Sequence, residues 1–407
     1  MRAMKTLLLL LFITASLQII SSVSPETRSV AAASEAPAGF DGQSNGLTDQ
    51  DTFNKDRETF DEIEEIEEGL GPLYNAQSCG GCHQNPISGG NSQVTELRAG
   101  HYDGASFLDH PGGSLINDRA IDASIQERVM NGNEVRTFRL STSTLGLGFV
   151  EAIDDNTLLD IAKSQPLLTG GNIHGDAIRV PILETQGSRR VGRFGWKCQH
   201  GSLISFAADA YLNEMGITSP LQPTENSSNG ESIAAYDAIP DPEDDGDDVE
   251  IFARFMRATK VPPRDADLAA TPDAQVGALL FQQVGCAICH VSSITTARTG
   301  TPINGGKFKI PAVLGDKIIH PYSDFLLHDI ATGDGNVQNG GPSSRNKIRT
   351  TPLWGLRTRS RLMHDGDSIT FQGAISRHGG EAGAVTQIYN GLTNAQKKQL
   401  LTFLQSL

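Results

Sequence analysis

Residues 286–290 read Cys286-Ala287-Ile288-Cys289-His290, and residues 79–83 read Cys79-Gly80-Gly81-Cys82-His83. One five-residue pattern therefore occurs twice. Two thiols three residues apart can each form a thioether to one vinyl group of a haem. The histidine that follows can then place a nitrogen under the iron. The chain's own cysteine and histidine frequencies give about 0.0015 chance copies of this pattern. A structural zinc site built from both pairs would want them about 15–20 residues apart, far closer than they are. A disulfide or redox C-x-x-C leaves the two histidines unexplained. The expectation is two covalently attached haem c groups, with His83 and His290 as proximal ligands.

Ten histidines and six methionines supply candidates for the second axial positions. His101 follows His83 by 18 residues and is the nearest candidate for the first haem. Met363 and His364, in LMHDG, are the candidates for the second, with no choice between them. His328, in SDFLLHD, is a further one. The remaining histidines (110, 174, 200, 320 and 378) read as surface or hydrogen-bonded structural groups. Cys198 is left over and reads as a buried small residue. An open iron permits oxygen or peroxide chemistry, whereas two strong ligands favour electron transfer.

The frame around the motifs is acidic. The chain has 407 residues, 33 Lys+Arg against 48 Asp+Glu, and a net charge of -15. That argues against nucleic acid as a partner, since phosphate binding needs a positive field. Five cysteines are too few for a disulfide scaffold. Arg2 and Lys5 precede an apolar run from Leu7, followed by small residues, the layout of a signal peptide over residues 1–24. A membrane anchor is the alternative reading of that run; no other stretch reaches spanning length, so no span is expected in the mature chain. The mature protein is expected to be periplasmic or secreted, with a charge of about -17 once Arg2 and Lys5 are removed.

The organisation reads as a flexible leader over 25–50, a first haem domain over 51–221, an acidic linker over 222–248 and a second haem domain over 249–407. Phe60, Ile63, Ile66 and Leu70 recur at helical spacing, ended by Gly69, Gly71 and Pro72. Phe252, Phe255 and Met256 begin another helix. Thr271-Pro272 is a helix start, with a capping hydroxyl and Pro at the first helical position. That helix would carry Val276, Leu279, Leu280 and Val284 toward Cys286. Thr393 and Gln396 form a capping box ahead of the stripe Leu400, Phe403, Leu404, Leu407. Asp241, Glu243 and Asp245 lie in an acidic run, but the twelfth loop position is Phe252, which excludes an EF-hand.

Several segments together resemble the bacterial di-haem oxidoreductase family, whose members carry the labels peroxidase and thiol oxidoreductase. They are GLGPLYNAQSCGGCH (Gly69–His83), GRFGWK (Gly192–Lys197), NEMGIT (Asn213–Thr218), GCAICH (Gly285–His290), PYSDFLLHD (Pro321–Asp329), RTTPLWGL (Arg349–Leu356), LMHDG (Leu362–Gly366) and HGGEA (His378–Ala382). Cys198 departs from the family pattern, where Ala is expected. The resemblance implies a mainly α fold of two cytochrome c-like domains, one haem each, with long loops and few short strands. It implies one haem that stores electrons and one that meets hydrogen peroxide. A distal carboxylate moves the proton that lets the O–O bond break. Glu151, in LGFVEAI, is the candidate acid, and its alternative is a surface or capping carboxylate. Trp196 is the candidate electron carrier between haems, or a plain core residue. Arg193 and Lys197 are candidates to pair with haem propionates. A calcium ion is a further implied cofactor, without a recognisable loop.

The leading expectation is a di-haem peroxidase taking electrons from a small cytochrome or cupredoxin-type donor and reducing hydrogen peroxide or another small oxidant. Its rivals are an electron-transfer cytochrome without an open iron, and an oxidase or oxygenase acting on a larger substrate. A thiol oxidoreductase is disfavoured, because Cys198 is the one cysteine that haem attachment would leave free.

Overall fold

Three helices build the larger core, because each buries an aromatic face against the others. The computed structural model describes residues 32–407, so the expected signal peptide and the start of the leader lie outside the described residues. The helix Gln50–Asp61 is opened by Asp49, whose carboxylate accepts from the Thr52 N–H at 2.8 Å. Phe53, Asp56 and Phe60 are three and four residues apart and share its buried face. The helix Asp247–Ala258 sets Phe255 against Phe60 and Phe53, with ring centres 4.8 and 5.3 Å apart. Tyr211, from the helix Leu203–Met215, meets Phe252 edge-on at 5.0 Å. Each such pair adds about 0.5–1.5 kcal/mol beyond burial.

The first helix differs from its sequence reading. It ends at Asp61, and Glu62 has left the helical region with ψ 138°. Ile63 and Ile66, expected to continue the buried stripe, are exposed. Phe53 rather than Ile63 is the partner of Phe60 on the core face, so the helix lies one stretch earlier. The helix expected from Phe252 onward also starts earlier, within the acidic run. Asp247, Asp248 and Glu250 occupy its first turn, where the helix N-terminus favours negative charge.

The acidic segment does not mark a border between the cores. The helix Asp247–Ala258, read as belonging to the second domain, completes the first core, and Ile294, Ile310, Ile319 and Phe325 join it. The described stretch of the leader is docked rather than flexible. Strand Ser34–Glu35 pairs parallel with Lys317–Ile319, and Ala38 bridges to Val261. Asn45 Nδ2 donates to the carbonyls of Arg257 and Thr259 at 2.8 and 3.0 Å. The acidic segment is itself anchored: Ile233 packs with Leu73 and Ile125, and Ser228 Oγ donates to the Ile125 carbonyl at 2.7 Å.

A second core lies under the C-terminal motif. Thr271 caps the helix Pro272–Val284, and the Thr393–Gln396 capping box opens the helix Asn394–Gln405, both as the sequence predicts. The two helices cross at Gly277, where a Cβ would stand 2.0 Å from the Gln399 carbonyl oxygen, an approach only glycine permits. The buried stripe is Ala274, Gly277, Leu280, Phe281 and Val284. Val276 and Leu279, expected to face inward, are exposed because this contact face is centred on Gly277.

Helix makes up 33 % and strand 15 % of the fold, with more short strands than the few expected. The largest sheet is antiparallel around Thr95–Tyr102, with Phe107–Asp109, Leu115–Ile116 and Val135–Leu140 paired to it. The last of these strands carries the chain to residues 140–143, beside both motifs. Among the described residues no helix is long and apolar enough to cross a membrane.

Candidate functional site

Each Cys-x-x-Cys-His motif forms a tight turn that turns its histidine inward. At the first, Ser78 Oγ accepts from the Gly81 N–H at 2.9 Å, and the His83 N–H donates to the Cys79 carbonyl at 2.9 Å. Gly80 is required here, since a Cβ would lie 2.4 Å from Asp61 Oδ1. At the second, Gly285 ends the helix in the left-handed region (φ 101°), and the His290 N–H donates to the Cys286 carbonyl at 3.0 Å. Phe60 packs against His83 with ring centres 6.2 Å apart and planes 52° apart. Phe281 packs against His290 with the same separation and the same angle.

The tautomers agree as well. His83 Nδ1 lies 3.4 Å from the Gly90 carbonyl, and His290 Nδ1 lies 3.0 Å from that of Tyr322. A carbonyl can only accept, so in the neutral ring Nδ1 carries the proton and Nε2 keeps its lone pair. Burial pushes both imidazoles down to about 4, so both rings are neutral at pH 7. This is the arrangement of metal-ligating histidines, whose second nitrogen donates to a fixed acceptor.

The surroundings of the motif cysteines are not those of reactive thiols. All four motif cysteines are unpaired, with no disulfide within either motif. Burial pushes Cys82 up to about 11 and Cys286 up to about 12, the opposite of a reactive thiolate. The two pairs share no metal-ligand cluster among the described residues; the groups that gather are Cys289–Asp324–His328 and Glu225–Asp241–Glu243. Cys198 is buried and raised to about 12 by burial, and its Sγ lies 3.3 Å from the Phe325 carbonyl. That agrees with the reading of Cys198 as a structural residue.

A cavity of about 210 Å³ opens beside the second motif, walled by Cys286, Cys289, His290 and an apolar lining that includes Phe281, Leu356 and Leu404. Met363 and His364 both reach it, as expected. So does Trp196, whose Nε1 donates to the Leu140 carbonyl at 2.7 Å and whose ring meets His364 at 6.1 Å. His364 also walls a second, polar cavity with Asp334, Asp365 and Arg377. His328 lines the first cavity between two carboxylates: Nε2 lies 2.9 Å from Asp324 and Nδ1 lies 2.8 Å from Glu381. Burial opposes its charge, but Asp324, the Cys289 sulfur and Glu381 outweigh burial and hold it protonated well above the usual histidine range.

One stretch of chain runs from the second motif to the loop after the first. Leu140, Ser141, Thr142 and Ser143 line the cavity of the second motif. Ser143 Oγ donates to the Gly89 carbonyl at 3.4 Å, and the Thr144 N–H and Oγ1 donate to it at 2.8 and 2.9 Å. The loop after the first motif docks on the second half as well: Asn85 Nδ2 donates to the Thr358 carbonyl at 2.8 Å.

Several expected site residues lie elsewhere. Glu151 is fully buried but lines neither cavity; Arg257 Nε and Nη2 donate to it at 2.7 and 3.0 Å. Burial raises its carboxyl, yet Arg257, the Leu203 N–H and Asn304 hold it down at about 2. It is held as the buried anion of an ion pair, and a carboxylate so stabilised is disfavoured as a proton carrier near neutral pH. Arg193 is spent on Asp155 and on the carbonyls of Val191 and Ile153. Lys197 Nζ is enclosed by Asp334 and the carbonyls of Ser344 and Lys347. Neither is free for a propionate. His101 sits on the sheet with its side chain 42 % exposed, ion-paired to Glu134 at 2.7 Å, away from both cavities. The implied calcium finds carboxylates together only at Glu225, Asp241 and Glu243 among the described residues, and Glu243 is already bonded to Thr218.

Three wall residues were not singled out from the sequence. Arg349 and Arg359 line the cavity with guanidinium groups that meet main-chain carbonyls and no carboxylate among the described residues. Arg359 Nε is buried without a partner, and burial lowers the group to about 10. Unbalanced buried cations beside an apolar cavity fit a ligand that is flat, apolar and edged by carboxylates, as haem is. His378 is the third, at the end of the helix Phe371–Ser376. Its motif HGGEA was visible, but the contact with a histidine 88 positions earlier was not.

No curated protein matches this chain. Among solved structures it is similar to hydrazine synthase of Kuenenia stuttgartiensis, at 13 % identity over 98 % of this chain and 99 % of that one, with TM-score 0.40. It is also similar to a MauG-like protein associated with microbial copper homeostasis, at 16 % identity over 91 % and 92 %, with TM-score 0.42. The profile of the family described as "di-haem oxidoreductase, putative peroxidase" matches residues 116–407. That span holds the second motif, Trp196, Met363, His364 and His378. This chain belongs to the di-haem oxidoreductase family.

Proposed function

We propose that the chain carries two covalent haem c groups in two cytochrome c-like halves and works outside the cytoplasm as a peroxidase, drawing electrons from a small donor protein. The observation that supports this most is the segment 140–144, which lines the cavity of the second motif and bonds Gly89 in the loop after the first. A haem at each motif supplies an iron centre that passes one electron at a time.

The chain's own residues divide the remaining work. Cys79 and Cys82, and Cys286 and Cys289, form the thioether links. His83 and His290 offer Nε2, aimed by the carbonyls of Gly90 and Tyr322. Arg349 and Arg359 meet propionates at the second site. Trp196, bonded to the Leu140 carbonyl on the wall of the second site, is the residue through which an electron would pass. Reducing one hydrogen peroxide to two waters takes two electrons and two protons, which the donor protein and solvent would supply. The acidic surface steers a basic donor, an attraction that salt weakens.

The test uses the mature chain made in cells that attach haem c. Two haems per chain are expected, with partly reduced protein consuming one peroxide for every two electrons delivered. Two low-spin haems inert to peroxide would replace this reading with an electron carrier. Oxidation of an organic substrate by oxygen without peroxide would replace it with an oxidase.

A further inference from the structure

Resting on the haem reading above, we propose that His378 is the second axial ligand of the haem at Cys286 and Cys289, opposite His290. Their ring centres are 6.4 Å apart. At a metal–imidazole bond of about 2.0 Å, with each ring centre about 1.1 Å beyond its nitrogen, two rings on opposite faces of one metal lie about 6.2 Å apart. The observed separation matches the spacing that one iron between the two rings would require.

The tautomers point the same way. His378 Nδ1 lies 2.8 Å from the Ala374 carbonyl, as His290 Nδ1 lies 3.0 Å from that of Tyr322. Both rings therefore keep Nε2 for a metal. Both line the same cavity.

His378 is also held in place from both sides. Thr386 Oγ1 donates to its carbonyl at 2.6 Å, and the Gly379 N–H donates to Ile330 O at 2.9 Å. Glu381, three residues on, accepts from the Asp329 N–H at 3.0 Å and binds His328. Arg377, the residue before, pairs with Asp365 of the LMHDG loop. A ligand fixed by its neighbours needs little reorganisation on binding. The residues expected from sequence line the same cavity. His364 also faces Trp196 and the polar cavity. Neither Met363 nor His364 makes a ring or hydrogen-bond contact with His290, whereas the His378 ring does.

Two strong ligands would make this haem an electron store and not the site that meets peroxide. The test compares the full wild-type chain with His378→Gly, His378→Met, Met363→Ala and His364→Ala. Haem content is measured first, then electron paramagnetic resonance and near-infrared magnetic circular dichroism. Wild type is expected to show one bis-imidazole low-spin haem. His378→Gly should lose that signal and regain it with added imidazole. His378→Met should gain a thioether–iron charge-transfer band and a higher reduction potential, while Met363→Ala and His364→Ala keep the bis-imidazole signal. A thioether signature in wild type that Met363→Ala removes would overturn the assignment, as would a bis-imidazole signal that only His364→Ala removes. A chain without covalent haem would overturn the haem reading itself.

Discussion

At the first motif the Phe60–His83 pair rests on the aromatic core of three helices, with Phe252 and Phe255 behind Phe60. At the second, Phe281–His290 rests on two crossed helices, with Phe403 behind Phe281, and faces a cavity of about 210 Å³. The Phe–His geometry is the same in separation and in angle; the surroundings are not. A five-residue turn and one aromatic contact set where the histidine points. The core beneath decides how much of the fold depends on it, and the opposite wall decides what else can reach its ring.

The largest effect should come from breaking the motifs one at a time. Replacing Cys286 and Cys289 together by Ala is expected to lower covalent haem from two per chain to one, with the remaining spectrum intact. Replacing Cys79 and Cys82 should also remove one haem, but with a larger fall in the yield of folded protein, because that motif is seated in the larger core. Haem content and thermal unfolding measured side by side decide this. Equal stability for the two double variants would erase the asymmetry between the motifs.

Glu151 sharpens the same contrast, because Arg257 belongs to the helix that carries Phe252 and Phe255. Removing one partner of a buried ion pair costs about 3–5 kcal/mol. Glu151→Gln should lose stability on that scale, with peroxide turnover per haem unchanged. The pH dependence has a definite sign. The folded carboxyl is depressed to about 2 from 4.5, so its contribution is present above pH 4.5 and is lost as pH falls toward 2. Wild type should therefore lose stability across that window more steeply than Glu151→Gln. Lost turnover in a fully stable Glu151→Gln would restore the proton-carrying role.

What the sequence made legible was local. Thr271-Pro272 and the Thr393–Gln396 box marked their helices, because a cap is a matter of neighbouring residues. Both haem motifs were legible for the same reason. Trp196 and Met363–His364 reached the cavity, carried by motifs that matched in order. The misread residues depend on distant partners. Glu151 looks like a free acid until Arg257, 106 positions on, is placed against it. Arg193 and Lys197 look like propionate partners until Asp155 and Asp334 claim them, leaving Arg349 and Arg359 on the wall. The contact of His378 with His290 was not legible because the two rings lie 88 positions apart. Ile63 and Ile66 kept helical spacing in a stretch where the chain had already turned away.

The smallest effect tests the link between the two sites. Trp196 Nε1 donates to the Leu140 carbonyl, and the Leu140 N–H donates to the His364 carbonyl, each at 2.7 Å. Leu140 is thus held between Trp196 and His364, and Ser143 and Thr144 bond to Gly89 in the loop after the first motif. Trp196→Phe keeps an aromatic ring and removes one donor, at about 1 kcal/mol of stability. Haem content and both reduction potentials should stay at wild-type values, because no iron contact changes. What should fall is the rate at which an electron placed on one haem reaches the other, followed after rapid partial reduction. If that rate is unchanged while stability falls by the expected amount, Trp196 is a wall residue only. The two motifs would then exchange electrons directly across residues 140–143.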